Sequence, residues 1–460
     1  MRLGFNMKKK IKIIIFFGFL INVIISSYYI QNYNSYEKID TDNEFRHNLI
    51  KGVIENHWIK GHKLKEDINS GKNFFTSGET YNRHYLPGII FYIYSKVSGD
   101  ELLEKEKNKT EITKSNKKFF YLLFQNLFYC FALIFLTNSL QGTYSSRFII
   151  IFVTILAFEP TINQWHNSFY QSSIFTSFQI LLISFLLKDN FQKKDLVLIG
   201  LLLGLLFAQR SAAVFYYYLI IIYFLFFQNK NRFKVVGIVT LSYLSIIFFI
   251  LAHNYYRSGL IYITPLDQRT ALHVHLEPLI LSDTLEKDEL ADINYKMDKI
   301  LDDWKKQRNL NLEKESDLLV FYDEMKKRSI ISILSNPIKT SKIVLSKTFH
   351  SGLLDPVHVY FFHTTEYEGV NSYYGSKLHK SIVKYRLVYS ILIYLIVIYG
   401  FFNSVKSIKK KYIFLITFSY LYFLLILGWT GSTRYYASCL PFLFFFLSIG
   451  IESLIKKIKN

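Results

Sequence analysis

The sequence predicts an all-α membrane protein that crosses a bilayer about ten times. The chain has 460 residues, of which 51% are hydrophobic and 18% are aromatic, a composition richer in apolar residues than that of soluble enzymes. Its apolar residues are gathered into long runs, and a helix needs about 20 such residues to cross about 30 Å of hydrocarbon. Lysines separate the runs, so the formal charge of +20 fits the basic loops of a membrane protein and not a nucleic-acid binder.

The first apolar run covers residues 11–29 and follows a basic N-terminal segment, residues 1–12. This order of charge and hydrophobicity predicts a first transmembrane helix with its N terminus in the cytoplasm. A cleaved signal peptide is the competing interpretation. We favour a retained helix because residues 26–30 offer no A-x-A-like cleavage site and the run is long for a signal peptide.

Eight further apolar runs follow the first one. They cover residues 119–140, 148–164, 174–187, 196–227, 235–252, 387–402, 412–429 and 436–454. A single helix over 196–227 would reach about 48 Å, and the polar triplet Gln209-Arg210-Ser211 lies near its middle. We interpret this run as two short spans folded back on each other, which brings the predicted total to ten.

A shorter apolar stretch, residues 86–97, decides the orientation of the chain. If it lies in the membrane interface, four basic segments share the cytoplasmic side with the N terminus; if it crosses, all four lie outside. These segments are residues 188–194, 230–234, 406–411 and 456–459. Because Lys and Arg accumulate in cytoplasmic loops, the sequence favours an interfacial or re-entrant helix over 86–97.

This topology divides the chain into three predicted parts. Residues 1–252 form an N-terminal transmembrane module with an external loop at 30–118, residues 253–386 form an external segment, and residues 387–460 form C-terminal transmembrane helices. Within the external segment, the charge-rich periodic stretch 282–327 predicts surface helices. Residues 335–350 carry apolar residues at helical spacing with three lysines, which predicts an amphipathic helix on the membrane surface.

Several kinds of chemistry have no support in the sequence. It contains no nucleotide-binding, zinc-protease or paired-cysteine motif, and Cys130 and Cys439 lie in apolar runs as small hydrophobic residues. Ionisable residues near the ends of the runs should have solvated or snorkelling side chains. They are Glu159, His166, Arg210 and His253.

An acidic cluster, Asp40-Thr41-Asp42-Asn43-Glu44, follows the first predicted span on the outer side. One interpretation is structural, because Asp42 or Asn43 can cap a helix predicted over residues 45–58, with Glu44 in its first turn. The other interpretation is that one of these carboxylates performs chemistry.

Two basic positions also lie on the predicted outer side. Arg83 and His84 come just before Pro87, and Arg434 comes shortly before Pro441 at the start of the last span. Each can be an interface anchor among aromatic residues, and each can be a cationic site for an anion at headgroup depth. An outward-facing Arg434 runs against the usual charge bias, which favours the anion-binding interpretation at that position.

These three features together resemble the GT-C superfamily of polyprenyl-phosphate-sugar-dependent glycosyltransferases. The branch of protein O-mannosyltransferases and aminoarabinose transferases is the most similar. Further similar segments are Phe158-Glu159-Pro160, the Gly-rich residues 200–210, residues 254–259 and residues 333–337. The chain departs from the family at Leu86-Pro87, where a Pro-Pro pair is usual, and at Gln171-Ser172, where many members carry an acid.

The resemblance implies a GT-C-like fold and transfer of a sugar from a lipid-linked donor to an acceptor hydroxyl at the external membrane face. It implies that a first-loop carboxylate is the catalytic base, with Asp42 preferred over Asp40 and Glu44. The residues implied to hold the donor phosphate are Arg83, His84, Arg434 and Tyr435. The donor is a substrate, so no cofactor or metal is expected. The acceptor is a lipid, a polysaccharide or a protein.

One base suffices for this chemistry because a sugar phosphate releases a stable phosphate anion, whereas a glycosidase must protonate a poor leaving group. Attack on the anomeric carbon would then invert its configuration. The resemblance also implies a bacterial inner membrane with the site in the periplasm. The alternative function is a transporter or flippase of a lipid-linked sugar, which predicts internal repeats and a polar site near the midplane. A noncatalytic membrane anchor is a third possibility.

Overall fold

A computed structural model describes twelve stretches of the chain with gaps between them. They are residues 2–32, 85–98, 116–159, 162–163, 166, 172–228, 231–263, 276–283, 287–311, 315–349, 377–430 and 433–459. Within these stretches every named element is a helix. The described part of the chain is therefore all-helical, in agreement with the predicted fold class.

The N-terminal half contains eight described helices and one short 3₁₀ turn. The helices are α1 (Arg2–Asn32), α2 (Tyr85–Ser98), α3 (Asn116–Leu140), α4 (Ser146–Phe158), α5 (Ser172–Leu186), α6 (Lys193–Gln209), α7 (Tyr216–Phe227) and α8 (Arg232–Ser258). The 3₁₀ turn, Ser211–Ala213, lies between α6 and α7.

The C-terminal half contains seven described helices. They are α9 (Glu277–Leu281), α10 (Lys287–Gln307), α11 (Glu315–Ser335), α12 (Pro337–Phe349), α13 (Lys377–Ser407), α14 (Lys410–Thr430) and α15 (Leu440–Lys459). A second 3₁₀ turn, Thr433–Ser438, joins α14 to α15 and is called the 433–438 turn below.

Three segments of the described helices are long and apolar enough to cross a membrane. They are Phe120–Leu140 in α3, Arg232–Tyr255 in α8 and Val388–Lys406 in α13. Shorter apolar helical segments, including Ser146–Phe158 and Ser172–Leu186, accompany them. The chain is therefore a membrane protein by the length and composition of its helices, while ten crossings stay a prediction.

The helix predicted over 148–164 ends earlier than its apolar run. Its last residue is Phe158, and Glu159 has extended dihedrals, φ −66° and ψ 123°. Pro160 follows, and a proline disfavours the α conformation in the residue before it. At the other end Ser145 caps the helix by accepting a hydrogen bond from the Phe148 amide at 3.1 Å.

The long run 196–227 is broken where the polar triplet predicted a break. Helix α6 ends at Gln209, and Arg210 is extended with φ −152° and ψ 128°. Helix α7 then runs back toward the start of α6. This direction is shown by the Tyr223 hydroxyl, which donates a hydrogen bond to the carbonyl of Leu186, the last residue of α5, at 3.4 Å. The Phe224 ring lies 5.4 Å from that of Phe191, close to the start of α6. The two helices thus fold back on each other as predicted.

Glycines allow two pairs of helices to pack closely. A Cβ atom at Gly200 would collide with Val239 and Ser242, so α6 lies directly against α8. Gly400 of α13 likewise lies against the backbone of α15 at Phe446. Small residues of this kind let helix backbones approach each other where the bilayer gives no hydrophobic drive for association.

Four basic segments meet at one end of the helix bundle. Asp189, between α5 and α6, accepts hydrogen bonds from Lys409 at 2.6 Å and from the Tyr412 hydroxyl at 2.7 Å. The Phe227 ring lies 5.1 Å from that of Phe414, which brings the α7–α8 connection to the same end.

The fourth basic segment, residues 456–459, lies at the same end because it belongs to the end of α15. Ser145 donates to Glu452 at 2.6 Å, and Lys456 pairs with Glu452 at 2.8 Å. Tyr144 lies beside Tyr412, with ring centroids 6.4 Å apart. We call this end the basic end. The sequence predicted that these segments share one side, and their contacts agree with that prediction.

The opposite end contains the start of α3, the end of α4, the start of α5 and the 433–438 turn. Each of these helices reaches the basic end with its other terminus. We call this opposite end the far end and define it by Tyr121, Asn163, Ser172 and Ser438. Helix α1 runs toward it beside α4, with Gly18 packed on Ala157.

The short helix α2 lies at the far end. Its Tyr94 ring is 5.3 Å from the ring of Tyr121. The interfacial or re-entrant position of residues 86–97 stays a prediction.

The segment predicted to lie outside, residues 253–386, contains a small hydrophobic core of its own. Leu276, Ile280, Ile343 and Val344 form a buried cluster that joins α9 to α12. The buried Glu277 accepts hydrogen bonds from hydroxyls of α11, Ser332 at 2.6 Å and Ser329 at 3.1 Å. The predicted surface helices are α10 and α11, and the predicted amphipathic helix is α12.

Candidate functional site

Most of the residues predicted to form the site lie outside the described stretches. They are Asp40, Asp42, Glu44, Arg83 and His84. The helices on either side of them are described: α1 ends at Asn32 and α2 begins at Tyr85. These two helices therefore fix where the acidic and the basic loop segments leave and re-enter the described bundle.

Arg434 and Tyr435 belong to the 433–438 turn, of which the structure describes the backbone. Their own side chains lie outside the description. Gln179 of α5 donates from its amide nitrogen to the carbonyl of Ser438 at 3.3 Å. The amide of Cys439 donates to the carbonyl of Tyr436 at 2.8 Å and closes the turn.

The far end is where the flanks of all three predicted site segments meet. Helix α1 reaches it, since the Asn22 amide donates to the Asn163 side-chain oxygen at 3.1 Å. Helix α2 lies there through its contact with Tyr121. The 433–438 turn lies there through Gln179. Helices α1 and α2 and the 433–438 turn, which are far apart in sequence, thus share one end of the bundle.

Three tyrosine hydroxyls come together beneath the 433–438 turn. The Tyr394 hydroxyl lies 3.2 Å from that of Tyr420 and 3.4 Å from that of Tyr436. The three residues come from α13, α14 and the turn itself. Sequence reasoning missed this cluster, because tyrosines are frequent in this chain and spacing alone does not show which of them meet.

The first turns of α5 are polar although they are buried. Thr176 and Ser177 donate to the carbonyls four residues earlier, those of Ser172 and Ser173, at 2.9 and 3.1 Å. Such back-bonding satisfies the hydroxyls inside an apolar bundle. The signal for this face was present in the sequence as the spacing of Ser172, Thr176 and Gln179, which places them on one side of a helix.

His166 lies in the connection between α4 and α5 and is fully buried. Its Nδ1 atom is 2.6 Å from the Ser173 hydroxyl, and its ring packs on Tyr129 with centroids 3.9 Å apart. Its carbonyl accepts from the Asn126 amide at 3.2 Å. Burial lowers the pKa of His166 to about 3, so this imidazole is neutral at pH 7. Within the described stretches its Nε2 atom has no hydrogen-bond partner.

Arg210 is also buried, with 1% of its surface exposed. Its guanidinium carbon lies 5.7 Å from the centre of the Phe175 ring, a cation–π arrangement. The expectation that His166, Arg210 and His253 are solvated or snorkelling was therefore wrong. Arg210 lies at the break between α6 and α7, with the Phe175 ring of α5 beside its guanidinium.

Glu159 has a local role in the described structure. One of its carboxylate oxygens accepts a hydrogen bond from the Ile162 amide at 2.7 Å. Among the described residues, no group of three His, Cys, Asp or Glu side chains is arranged to hold a metal ion.

Comparison with solved structures yields a distant similarity. No family model and no curated protein matches the sequence. Among solved structures, the chain is similar to the archaeal oligosaccharyltransferase AglB from Archaeoglobus fulgidus in complex with an inhibitory peptide and a dolichol-phosphate. The identity is 11% and the TM-score 0.49, over 96% of this chain and 50% of that one. The chain thus spans about half the length of AglB.

Proposed function

We propose that this chain is a membrane glycosyltransferase. It would move a sugar from a polyprenyl-phosphate-linked donor to an acceptor hydroxyl at the far end of the bundle. The observation that carries the proposal is the meeting, at this end, of the helices that flank the acidic cluster, the Arg83-His84 pair and the 433–438 turn. A general base and cationic phosphate ligands must act together on one donor, so they need this common location.

The proposed chemistry needs one base. Asp42 would accept the proton of the acceptor hydroxyl as its oxygen attacks the anomeric carbon, and the bond from that carbon to the phosphate oxygen would break. The product sugar would have inverted configuration. Asp40 and Glu44 are the alternative bases, because all three carboxylates belong to the same short loop segment.

Cationic side chains would stabilise the departing lipid phosphate. Arg83, His84 and Arg434 would supply the positive charge, and Tyr435 a hydroxyl donor. The charge that develops on the phosphate oxygen during bond cleavage is then compensated without protonation of the leaving group.

The remaining parts of the proposal concern partners and location. The lipid-linked sugar would be a substrate, and the acceptor a lipid, a polysaccharide or a protein. We place the chain in a bacterial inner membrane with a cytoplasmic N terminus, in the protein O-mannosyltransferase and aminoarabinose-transferase branch of the GT-C superfamily. The parts 1–252, 253–386 and 387–460 would be, in order, the N-terminal transmembrane module, the external segment and the C-terminal transmembrane helices. Acceptor choice would belong to the two external segments, 30–118 and 253–386.

A deletion experiment tests the proposed activity. Mass spectra of envelope lipid, surface polysaccharide and envelope proteins are compared between cells with and without the gene. We expect one acceptor to lose the mass of one sugar residue and to regain it when the wild-type chain is supplied, but not when Asp42→Asn is supplied. If acceptors keep their sugar and only the sidedness of a lipid-linked sugar changes, the chain is a flippase.

A further inference from the structure

Three tyrosines from separate elements converge on a single hydroxyl cluster. Tyr394 is the shared member, with its hydroxyl 3.2 Å from that of Tyr420 and 3.4 Å from that of Tyr436. Tyr394 lies on α13, Tyr420 on α14 and Tyr436 in the 433–438 turn. The cluster therefore links the turn to two helices that precede it in the chain.

The hydroxyls need one another because their surroundings are apolar. Tyr436 belongs to the buried hydrophobic core of the bundle, and Tyr394 and Tyr420 pack against that core. A tyrosine hydroxyl donates one hydrogen bond and accepts others, so Tyr394 can accept from one neighbour and donate to the other. Phenylalanine would fill the same space, so packing alone does not explain three hydroxyls at this place.

A second hydrogen bond holds the same turn from the other half of the chain. The Gln179 side-chain amide of α5 donates to the Ser438 carbonyl at 3.3 Å. The turn is thus fastened at Tyr436 by the C-terminal helices and at Ser438 by the N-terminal module. A 3₁₀ turn has poorer internal hydrogen bonds than an α-helix, so such outside partners matter for its geometry.

We propose that Tyr394 and Tyr420 are positioning residues for the 433–438 turn and thereby for binding of a polyprenyl phosphate by Arg434. Arg434 is two residues from Tyr436 in this turn. The inference rests on the proposed function, which assigns the phosphate to Arg434. Neither tyrosine touches the reacting atoms in this scheme, and their effect on binding passes through the backbone of the turn.

The test measures binding of undecaprenyl phosphate to the purified full-length chain in detergent. For Tyr394→Phe and Tyr420→Phe we expect the dissociation constant to rise about two- to tenfold, the effect of one lost hydrogen bond in an apolar setting. Tyr218→Phe is the matched control, because Tyr218 on α7 is 56% exposed. It should bind like the wild type.

A double variant separates positioning from general stability. If Tyr394 acts through Arg434, Tyr394→Phe should weaken binding less than twofold in an Arg434→Ala background, because coupled residues are not additive. A purely structural role would lower the melting temperature of Tyr394→Phe and leave the dissociation constant of the folded protein unchanged.

The outcomes separate the positioning role of the tyrosines from the assignment of the phosphate to Arg434. If Arg434→Ala weakens binding while both tyrosine variants bind like the wild type, the positioning role is wrong and the proposed phosphate site stands. The positioning role is equally wrong if Tyr394→Phe weakens binding to the same extent in both backgrounds. If Arg434→Ala itself binds undecaprenyl phosphate like the wild type, the assignment of the phosphate to Arg434 fails and the positioning role fails with it.

Discussion

Asp189 accepts a hydrogen bond from Lys409 at 2.6 Å, across 220 positions of the sequence. Lys411 and the Tyr412 hydroxyl also contact the same carboxylate oxygen, at 3.3 and 2.7 Å. This one acidic group therefore ties the α5–α6 connection to the start of α14 at the basic end. Its hydrogen bond with Lys409 is the main cause that lowers the pKa of Asp189 to about 2.

We expect Asp189→Asn to lower the thermal stability of the purified chain at pH 7. The loss should be modest, about 0.5–1 kcal/mol, because Asp189 and Lys409 are both partly exposed and water screens their attraction. Asp292→Asn is the control, since its pair with Lys296 lies on the exposed surface of α10. An equal melting temperature for Asp189→Asn and the wild type at low salt would show that the Asp189–Lys409 interaction does not stabilise the fold.

The same contact predicts a pH dependence. A carboxyl group with a lowered pKa in the folded state stabilises above its unfolded pKa, which is about 3.9. That contribution is lost as pH falls from about 4 toward 2, because the Asp189 carboxylate becomes protonated. The difference in melting temperature between the wild type and Asp189→Asn should therefore shrink over this range. A difference that stays constant would contradict this assignment.

Two glycines on a pair of packed helices offer a matched test of the fold. A Cβ atom at Gly200 would collide with α8, whereas one at Gly237 meets nothing within 4 Å. We expect Gly200→Ala to cost about 1–3 kcal/mol through overpacking. Gly237→Ala should be neutral or slightly stabilising, since alanine is the better helix former by up to about 1 kcal/mol. Melting temperatures in detergent measure both, and equal values would argue against close packing of α6 on α8.

Sidedness is testable with single cysteines in a chain whose Cys130 and Cys439 are replaced by alanine. Lys296→Cys places a thiol on the exposed face of α10, and Lys410→Cys places one at the basic end. An impermeant maleimide should label the first in intact cells and the second only after lysis. Labelling of Lys296→Cys only after lysis would overturn both the topology and the external site.

Local features of the fold could be predicted from the sequence, because short-range chemistry determines them. The break at Arg210 follows from a polar triplet, and the short helix over Tyr85–Ser98 follows from a short apolar stretch. The helix predicted over 148–164 is too long because the apolar residues continue past Glu159, although Pro160 is a visible stop signal.

Long-range contacts could not be predicted in this way. The burial of Arg210 depends on which helices surround it, and the meeting of Tyr394 with Tyr436 depends on the packing of α13 against the last turn. Neither is encoded in local spacing. For the proposed site, the sequence names the candidate segments, and the structure adds that the helices beside them share the far end. The choice among Asp40, Asp42 and Glu44 stays a prediction.

The two arginines assigned to the donor phosphate should matter for binding more than for folding. We expect Arg83→Ala and Arg434→Ala each to weaken binding of undecaprenyl phosphate by about ten- to a hundredfold, since a charge-assisted contact contributes about 1.5–3 kcal/mol. Arg232→Ala, at the basic end, is the control and should bind normally. Wild-type affinity in both variants would remove these residues from the site.

The most direct test of the proposed activity is the transfer rate of Asp42→Asn in membranes that complement a deletion strain. An amide keeps the size of the side chain and can still cap a helix, so a structural role predicts wild-type transfer. It cannot accept a proton, so the catalytic role predicts a rate about 10²–10⁴-fold lower at an equal amount of folded protein. Asp40→Asn and Glu44→Gln should lower the transfer rate less than Asp42→Asn does. Full sugar transfer by all three variants would contradict the claim that this loop supplies the base.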